Sequence, residues 1–239
     1  MKILGLDSSG LVASVAIAED DNLLAEYTVN YKKTHSQTLL PMLDTMAKMI
    51  ELDLDTVDAI AVAGGPGSFT GLRIGSATAK GLGLALGKPL IHIPTLEGLA
   101  YNLAGCKSMV CPLMDARRNQ VYTGLYEFEN RTMHTVLPQC AADIGEIIEK
   151  INSLGRETVF LGDGVPVFTE YIENHIAVPY YFAPPNNNKQ RAASVVSLAF
   201  CYAKEGRMQQ AKDHKPDYLR LSQAERERME TERKKETGA

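Results

Sequence analysis

Residues 62–89 read VAGGPGSFTGLRIGSATAKGLGLALGKP, which combines the end of an apolar strand, a glycine-rich turn and a long run of small residues. The turn GGPG at 64–67 allows backbone conformations that other residues resist, so it predicts a sharp change of chain direction. A helix of about four or five turns is predicted from Gly71 to Gly87, because glycine followed by proline is a typical helix stop.

Small residues recur at every fourth position of this predicted helix, namely Gly71, Gly75, Ala79, Gly83 and Gly87. Glycine inside a helix costs about 0.5 to 1 kcal/mol relative to alanine, so something is expected to lie very close to this helix. Two explanations stay open. Either the helix packs tightly on its own sheet, or it pairs with a partner subunit at short backbone separation.

The glycine turn does not match the two common nucleotide-binding motifs. The phosphate loop GxxxxGK[ST] requires a Lys-Ser or Lys-Thr pair, which is missing here. The dinucleotide motif GxGxxG fails because its third glycine, Gly71, comes one residue late. No cofactor is therefore predicted.

The chain has 239 residues, of which 45% are hydrophobic, and a formal net charge of −4. This length fits one large domain or two small ones, and the negative charge gives no overall attraction to nucleic acid. Any contact with RNA is therefore predicted to be local and weak, or indirect through a partner. No apolar run reaches the roughly 18 residues of a membrane span and no signal peptide is visible, which predicts a cytoplasmic protein with no membrane partner.

The predicted order of elements is three strands, a helix, and then alternating strands and helices. Strands at 2–7, 13–18 and 23–29 form an antiparallel meander, and a similar pattern begins again with a strand at 109–115. This order indicates an α/β protein with two tandem actin-like (ribonuclease H-like) domains, each a mixed sheet with flanking helices.

We place the first domain at 1–104, the second, partly degenerate domain at 105–221, and a charged tail at 222–239. The last segment of the second domain is a candidate to pack back on the first. The first long helix, predicted at 36–50, has an apolar face broader than one sheet usually needs. It contains Pro41, which is tolerated only if the helix starts late or irregularly.

Two predicted strands end in an aspartate. Asp7 is followed by Ser8 and Ser9, where a carboxylate and turn N–H groups could meet a phosphate or a hydrated metal ion, although an ordinary turn explains the same residues. Asp115 ends the corresponding strand of the second domain. His35 has leucine four residues later, so it is predicted to be a hydrogen-bonding loop residue or a partner contact rather than a metal ligand.

Three separated stretches, KILGLDSS, the glycine segment at 64–89 and DARRNQVYTGLY at 115–126, together with THSQTLLPML and PDYLR, closely resemble the TsaB family, also called YeaZ. The resemblance covers roughly residues 1–220. It implies two actin-like domains and a role in making threonylcarbamoyladenosine, beside the anticodon, in tRNAs that read codons beginning with A. It also implies a non-catalytic subunit that forms a heterodimer with the paralogous TsaD transferase and is joined by the ATPase TsaE.

The resemblance also bears on the sites. The TsaD paralogue carries a metal-binding HxxxH with Glu-Gly between its histidines, whereas this chain has Thr95 and Leu99 at the ligand positions. Neither side chain suits a metal, so no metal and no catalytic residue are predicted. Asp115 is followed by Ala116, Arg117 and Arg118, which put cations where the phosphates of a nucleotide would lie. These arginines are the tip of a surface hairpin, or they contact a partner carboxylate or a tRNA phosphate.

The two helices at 36–50 and 71–87 are expected to dock the equivalent helices of TsaD, and the same face could form a homodimer when TsaD is absent. The residues expected at this interface are His35, Leu39, Leu43, Met46, Ile50, Gly71, Arg73, Gly75, Ala79 and Gly83. Two other functions compete. One is an active ATP-dependent phospho- or carbamoyltransferase of the same fold that uses Asp7 and Asp115, and the other is a metallopeptidase, for which no HExxH is present.

Overall fold

The structure, a computed structural model, describes residues 1–31 and 34–219, so the predicted charged tail lies outside the described residues. The first unit contains β1 (Lys2–Asp7), β2 (Ala13–Glu19), β3 (Asn22–Val29), α1 (His35–Met49), β4 (Ala59–Gly65), α2 (Phe69–Leu86), β5 (Leu90–Pro94) and α3 (Thr95–Ala100). The second contains β6 (Met109–Asp115), β7 (Gln120–Glu129), β8 (Thr132–Asp143), α4 (Ile144–Leu154), β9 (Thr158–Leu161), α5 (Val165–His175), β10 (Tyr180–Phe182) and α6 (Ala192–Lys204).

The strand order of the second sheet repeats that of the first. The first sheet runs β3-β2-β1-β4-β5, and the second, taken from β8, runs β8-β7-β6-β9-β10. In each sheet the first strand pairs antiparallel with the second and parallel with the fourth, as β1 does with β2 and β4. The predicted pair of actin-like α/β units, each with a three-stranded meander, is confirmed. Strand β10 was not predicted, because three residues between loops give no periodic signal.

Helices cover both faces of the first sheet. Helices α1 and α2 pack on one face through Leu39, Leu43 and Ala79, and α6 packs on the other through Val195 and Val196. Helix α6 follows the second sheet in sequence but contacts β1, β2, β4 and β5 of the first. Helix α6 therefore links the two units, because the chain passes through the second unit and then packs this helix on the first sheet.

The remaining helices cover the second sheet and the junction. Helices α4 and α5 pack on the second sheet around Ile148 and Phe168, and α3 lies between the sheets with Leu96 and Leu99 against Val110. In the described part of the chain, no helix is both long enough and apolar enough to cross a bilayer.

The ends of α2 follow local rules, whereas α1 departs from the prediction. The Ser68 hydroxyl accepts from the Gly71 N–H, and Gly87 ends α2 in a left-handed conformation with φ of 66°. Helix α1 begins at His35 without irregularity and keeps Pro41 inside. The carbonyl of Gln37 loses its helical donor there, but this residue is exposed, so water can replace the missing N–H.

A C-terminal strap, residues 207–219, closes the open edge of the first sheet. Gln209 exchanges two backbone hydrogen bonds of 2.9 Å with Leu90, and the Asp217 N–H donates to the carbonyl of Gly64 at 2.6 Å. Farther along, the Tyr218 ring packs on Phe69 of α2 at 4.8 Å between centroids. The strap therefore ends beside the glycine turn and the first turn of α2.

Candidate functional site

The turn after β1 is satisfied by its own hydrogen bonds. The Asp7 carboxylate is 2% exposed, and its Oδ1 accepts from the Ser9 N–H at 2.9 Å and the Ser9 hydroxyl at 2.6 Å. Burial raises the pKa of Asp7 above its ordinary value, and the two bonds from Ser9 partly oppose this rise. The arrangement is that of an aspartate-capped turn with its carboxylate withdrawn from solvent.

Helix α2 begins directly against this turn. The Ser68 N–H donates to the Ser9 carbonyl at 2.7 Å, and the Ser8 hydroxyl donates to the Gly71 carbonyl at 2.9 Å. A methyl group at Gly71 would lie well inside van der Waals contact of the Ser8 carbonyl, so glycine is required by this close approach. Ser8 and Ser9 are buried as a result, at 2% and 0% exposed, which leaves little of their surface for a phosphate.

In the equivalent turn after β6, the aspartate at the strand end again accepts a hydrogen bond from the backbone of the turn. The Asp115 Oδ1 accepts from the Arg117 N–H at 2.8 Å, while Oδ2 lies 3.4 Å from the Arg117 guanidinium. Arg117 and Arg118 themselves are exposed. Nearby, burial raises the pKa of Asp163, which lies in the turn between β9 and α5.

The small-residue stripe of α2 faces inward, which corrects part of the predicted interface. Gly71, Gly75, Ala79 and Gly83 are all buried within the chain. A Cβ on Gly75 would meet the Ser8 hydroxyl at 2.5 Å, and one on Gly83 would meet the Leu90 side chain at 2.5 Å. Of the two explanations left open by the sequence, tight packing on the chain's own sheet accounts for this stripe.

The apolar residues predicted at the interface on α1 are also core residues. Leu39, Leu43 and Met46 are 1%, 4% and 3% exposed, and Ile50 is half-buried against the same cluster. Leu39, Leu43 and Met46 face the sheet because α1 covers β2 and β3, so these three side chains are not available to a partner. His35 is half-buried, and its Nε2 lies 2.8 Å from the Gly10 carbonyl, a loop contact rather than metal ligation.

A different stripe of α2 faces solvent, and we call it the docking face. It consists of Arg73, Ala77, Gly81 and Leu84, spaced by four, four and three residues on one side of the helix. A Cβ on Gly81 would have no atom within 4 Å, and Leu84 is 63% exposed. Beside it, α1 exposes Leu40, which is 51% exposed. The face combines the small residues Ala77 and Gly81 with the apolar side chain of Leu84 and, toward the N-terminal end of the helix, the cationic side chain of Arg73.

The half-buried His92 on β5 and the buried His214 on the C-terminal strap form a pair that the sequence analysis did not identify. The His92 ring on β5 lies 5.4 Å from the His214 ring, and His92 Nε2 is 3.2 Å from Asp217 Oδ2. Lys80 donates to the His214 carbonyl at 3.2 Å. Burial lowers the pKa of His92 against the opposing effect of Asp217, and burial with the neighbouring His92 and Lys80 lowers that of His214 to about 4.

Acid should therefore loosen the strap. Below pH 6.5 an unfolded histidine binds a proton that folded His214 does not bind until about pH 4, so stability is complete above 6.5 and falls as pH is lowered between these values. The two pKa values correspond to a loss of about 3 kcal/mol. We expect His214→Gln to flatten the dependence of the urea midpoint on pH over this range. His134→Gln, at a half-exposed site on β8, should leave that dependence as steep as in the wild type.

Comparison with known proteins gives a consistent set of relatives. Residues 22–228 match the family described as TsaD, tRNA N6-adenosine threonylcarbamoyltransferase. The chain is 31% identical over 233 residues to the tRNA threonylcarbamoyladenosine biosynthesis protein TsaB of Bacillus subtilis, covering 98% of this chain and 100% of the relative. It is also 31% identical over 167 residues to the TsaB protein of Escherichia coli, covering 69% and 72% of the two chains.

Similar solved structures come from the same group of proteins as these relatives. YeaZ from Pseudomonas aeruginosa superposes with a TM-score of 0.74 at 26% identity, covering 91% of this chain and 99% of that one. A second Pseudomonas aeruginosa structure, described as an uncharacterized protein similar to peptidase YEAZ, gives a TM-score of 0.79 at 26% identity over 92% and 99% of the chains.

Proposed function

The chain belongs to the TsaB family of tRNA threonylcarbamoyladenosine biosynthesis proteins, and we propose that it acts in that pathway as a non-catalytic subunit that binds and supports a TsaD-family transferase. The observation that carries this proposal is that the two sides of α2 have different surroundings. One side of the helix closes the Asp7 turn, and the other presents the docking face to solvent. The Asp7 turn is buried, whereas the docking face on the other side of α2 is exposed. This combination favours a role in binding a partner over a role in catalysis.

The neighbourhood of α3 supports the same proposal. Thr95 and Leu99, at the positions where the resemblance places the ligands of the paralogue, are each 1% exposed. The Thr95 hydroxyl accepts from the Gly65 N–H at 3.0 Å, and Leu99 packs between the two sheets. Both side chains are committed to internal contacts that hold the glycine turn and the junction.

The docking face supports a related protein as the partner. The chain matches the TsaD family along most of its length, so a TsaD-family protein is expected to carry the same pair of helices on its first sheet. Two such faces can pair about an approximate two-fold axis, and without the transferase two copies of this chain would use the same face. In this proposal the ATPase TsaE joins the assembled pair.

The proposal is tested by a reconstituted modification assay. We expect the TsaD-family transferase from the same source, with tRNA, the threonylcarbamoyl donor and TsaE, to modify tRNA only when this chain is added, and this chain without the transferase to modify none. The variant Asp7→Asn keeps the acceptor oxygen for Ser9 and should support full modification. An active phospho- or carbamoyltransferase would instead lose its activity in Asp7→Asn and would bind Mg-ATP by calorimetry, which would refute the non-catalytic role.

A further inference from the structure

The turn between β6 and β7 has an unusual backbone. Arg117, Arg118 and Asn119 follow one another with φ values of 66°, 57° and 59°. The left-handed conformation is strained for a residue other than glycine, and strain of this kind concentrates at functional sites. Three such residues in succession, two of them arginines, therefore require an explanation beyond chain reversal.

The turn is held from within, so its conformation is imposed by hydrogen bonds. The Ala116 N–H donates to the Gln120 carbonyl at 2.9 Å, and the Gln120 N–H donates to the Arg117 carbonyl at 3.2 Å. The Asp115 carboxylate accepts from the Arg117 N–H and also faces the Arg117 guanidinium. Asp115 therefore forms its ion pair with Arg117. Among the residues that the structure describes, no carboxylate pairs with Arg118.

The turn presents an exposed positive charge to solvent. Asp163 is close enough to interact with both Asp115 and Lys189, and burial raises its pKa. Arg118 is an exposed cationic spot, unpaired by any carboxylate of the described residues, on a chain whose net charge is −4. An acidic protein that meets RNA needs such a spot, since its overall charge repels the backbone.

We propose that the Asp115–Asn119 turn binds a phosphodiester of the substrate tRNA through the guanidinium of Arg118. This inference rests on the proposed function, which supplies the RNA. A phosphodiester is favoured over a carboxylate of the protein partner because the docking face belongs to α2 on the first sheet, whereas this turn joins strands of the second. Arginine is also the side chain that most often fixes RNA and DNA backbones by paired hydrogen bonds.

The test uses the assembled complex with the transferase and an unmodified transcript of a tRNA that reads codons beginning with A. Arg118→Asn removes the charge, and asparagine accepts the left-handed backbone, so the fold is kept. We expect about three- to tenfold weaker binding and a salt dependence reduced by about one ion. Arg118→Lys keeps the charge but not the paired hydrogen bonds, so it should keep the salt dependence and lose part of the affinity. Lys150→Asn, on the exposed side of α4, should change neither value.

Arg118→Gly separates the two roles further, since it relieves the strain and should raise the melting temperature while it weakens RNA binding. Unchanged affinity and salt dependence in Arg118→Asn would overturn the proposal, as would weaker assembly with the transferase at unchanged RNA affinity, which would indicate a protein carboxylate. If the wild-type chain does not assemble with the transferase, the proposed function fails, and transcript binding by the isolated wild type and Arg118→Asn still decides the phosphate contact.

Discussion

Gly81→Arg is expected to abolish association with the TsaD-family transferase while the chain itself remains folded. Gly81 lies in the middle of the docking face, and a side chain at this position would touch nothing within the chain. Glycine in an exposed helix costs about 1 kcal/mol relative to good helix formers, so the variant should be at least as stable as the wild type. Any loss of binding would then arise at the interface.

The expected loss is large because of where the arginine would go. Small residues allow two helices to approach closely, and a long cationic side chain between them must either separate the helices or be buried without a partner. We expect at least about a 100-fold decrease in affinity, or about 2.7 kcal/mol, measured by calorimetry or by gel filtration at micromolar concentration. Modification in the reconstituted assay should fall in parallel.

A matched control places arginine on another exposed helix position. Val167 on α5 of the second unit is 59% exposed, and Val167→Arg should leave both the stability and the association unchanged. Unaltered binding by Gly81→Arg would show that the partner uses another surface. Loss of binding in both variants would point to a general effect of added positive charge.

The sequence predicted the two-unit fold because its signals are local. Alternating strands, the glycine turn and the stop at Gly87 each depend on a few neighbouring residues, and all are present in the structure. The sequence analysis expected the wrong side of α2 to face a partner, and the reason is physical. Small residues occupy both sides of this helix, so spacing alone cannot tell the stripe at Gly75 and Gly83 from the one at Ala77 and Gly81.

Other features were missed because the contacts are distant or the residue types are uninformative. His92 and His214 meet only after the strap returns to the sheet edge, and no local pattern connects them. The left-handed turn at Arg117 and Arg118 contains no glycine, so its positive φ values carry no sequence signal. Among the α2 residues predicted at the partner interface, Arg73 is exposed, whereas Gly71, Gly75, Ala79 and Gly83 are core residues.

Because one side of α2 is buried and the other is exposed, replacing glycine by alanine is expected to have opposite effects at two positions of this helix. Gly71→Ala should destabilise the chain by about 2 to 3 kcal/mol, because the added methyl group would overlap the Ser8 carbonyl. That carbonyl cannot withdraw easily, since the Ser8 hydroxyl and the Ser9 carbonyl are both bonded to the first turn of α2. The gain in helix propensity near the helix end is smaller than this overlap.

Gly81→Ala should instead stabilise the chain by about 0.5 to 1 kcal/mol, because the methyl group enters open space and only the propensity term remains. Both values are measured by urea denaturation at pH 7.5, with equal slopes expected for the two variants and the wild type. A stable Gly71→Ala would mean that α2 does not lie against the Asp7 turn, and a destabilised Gly81→Ala would mean that the docking face is covered within the chain. Since the closed turn and the open face are the two sides of one helix, this pair of alanines tests the structural basis of the proposed function without any partner present.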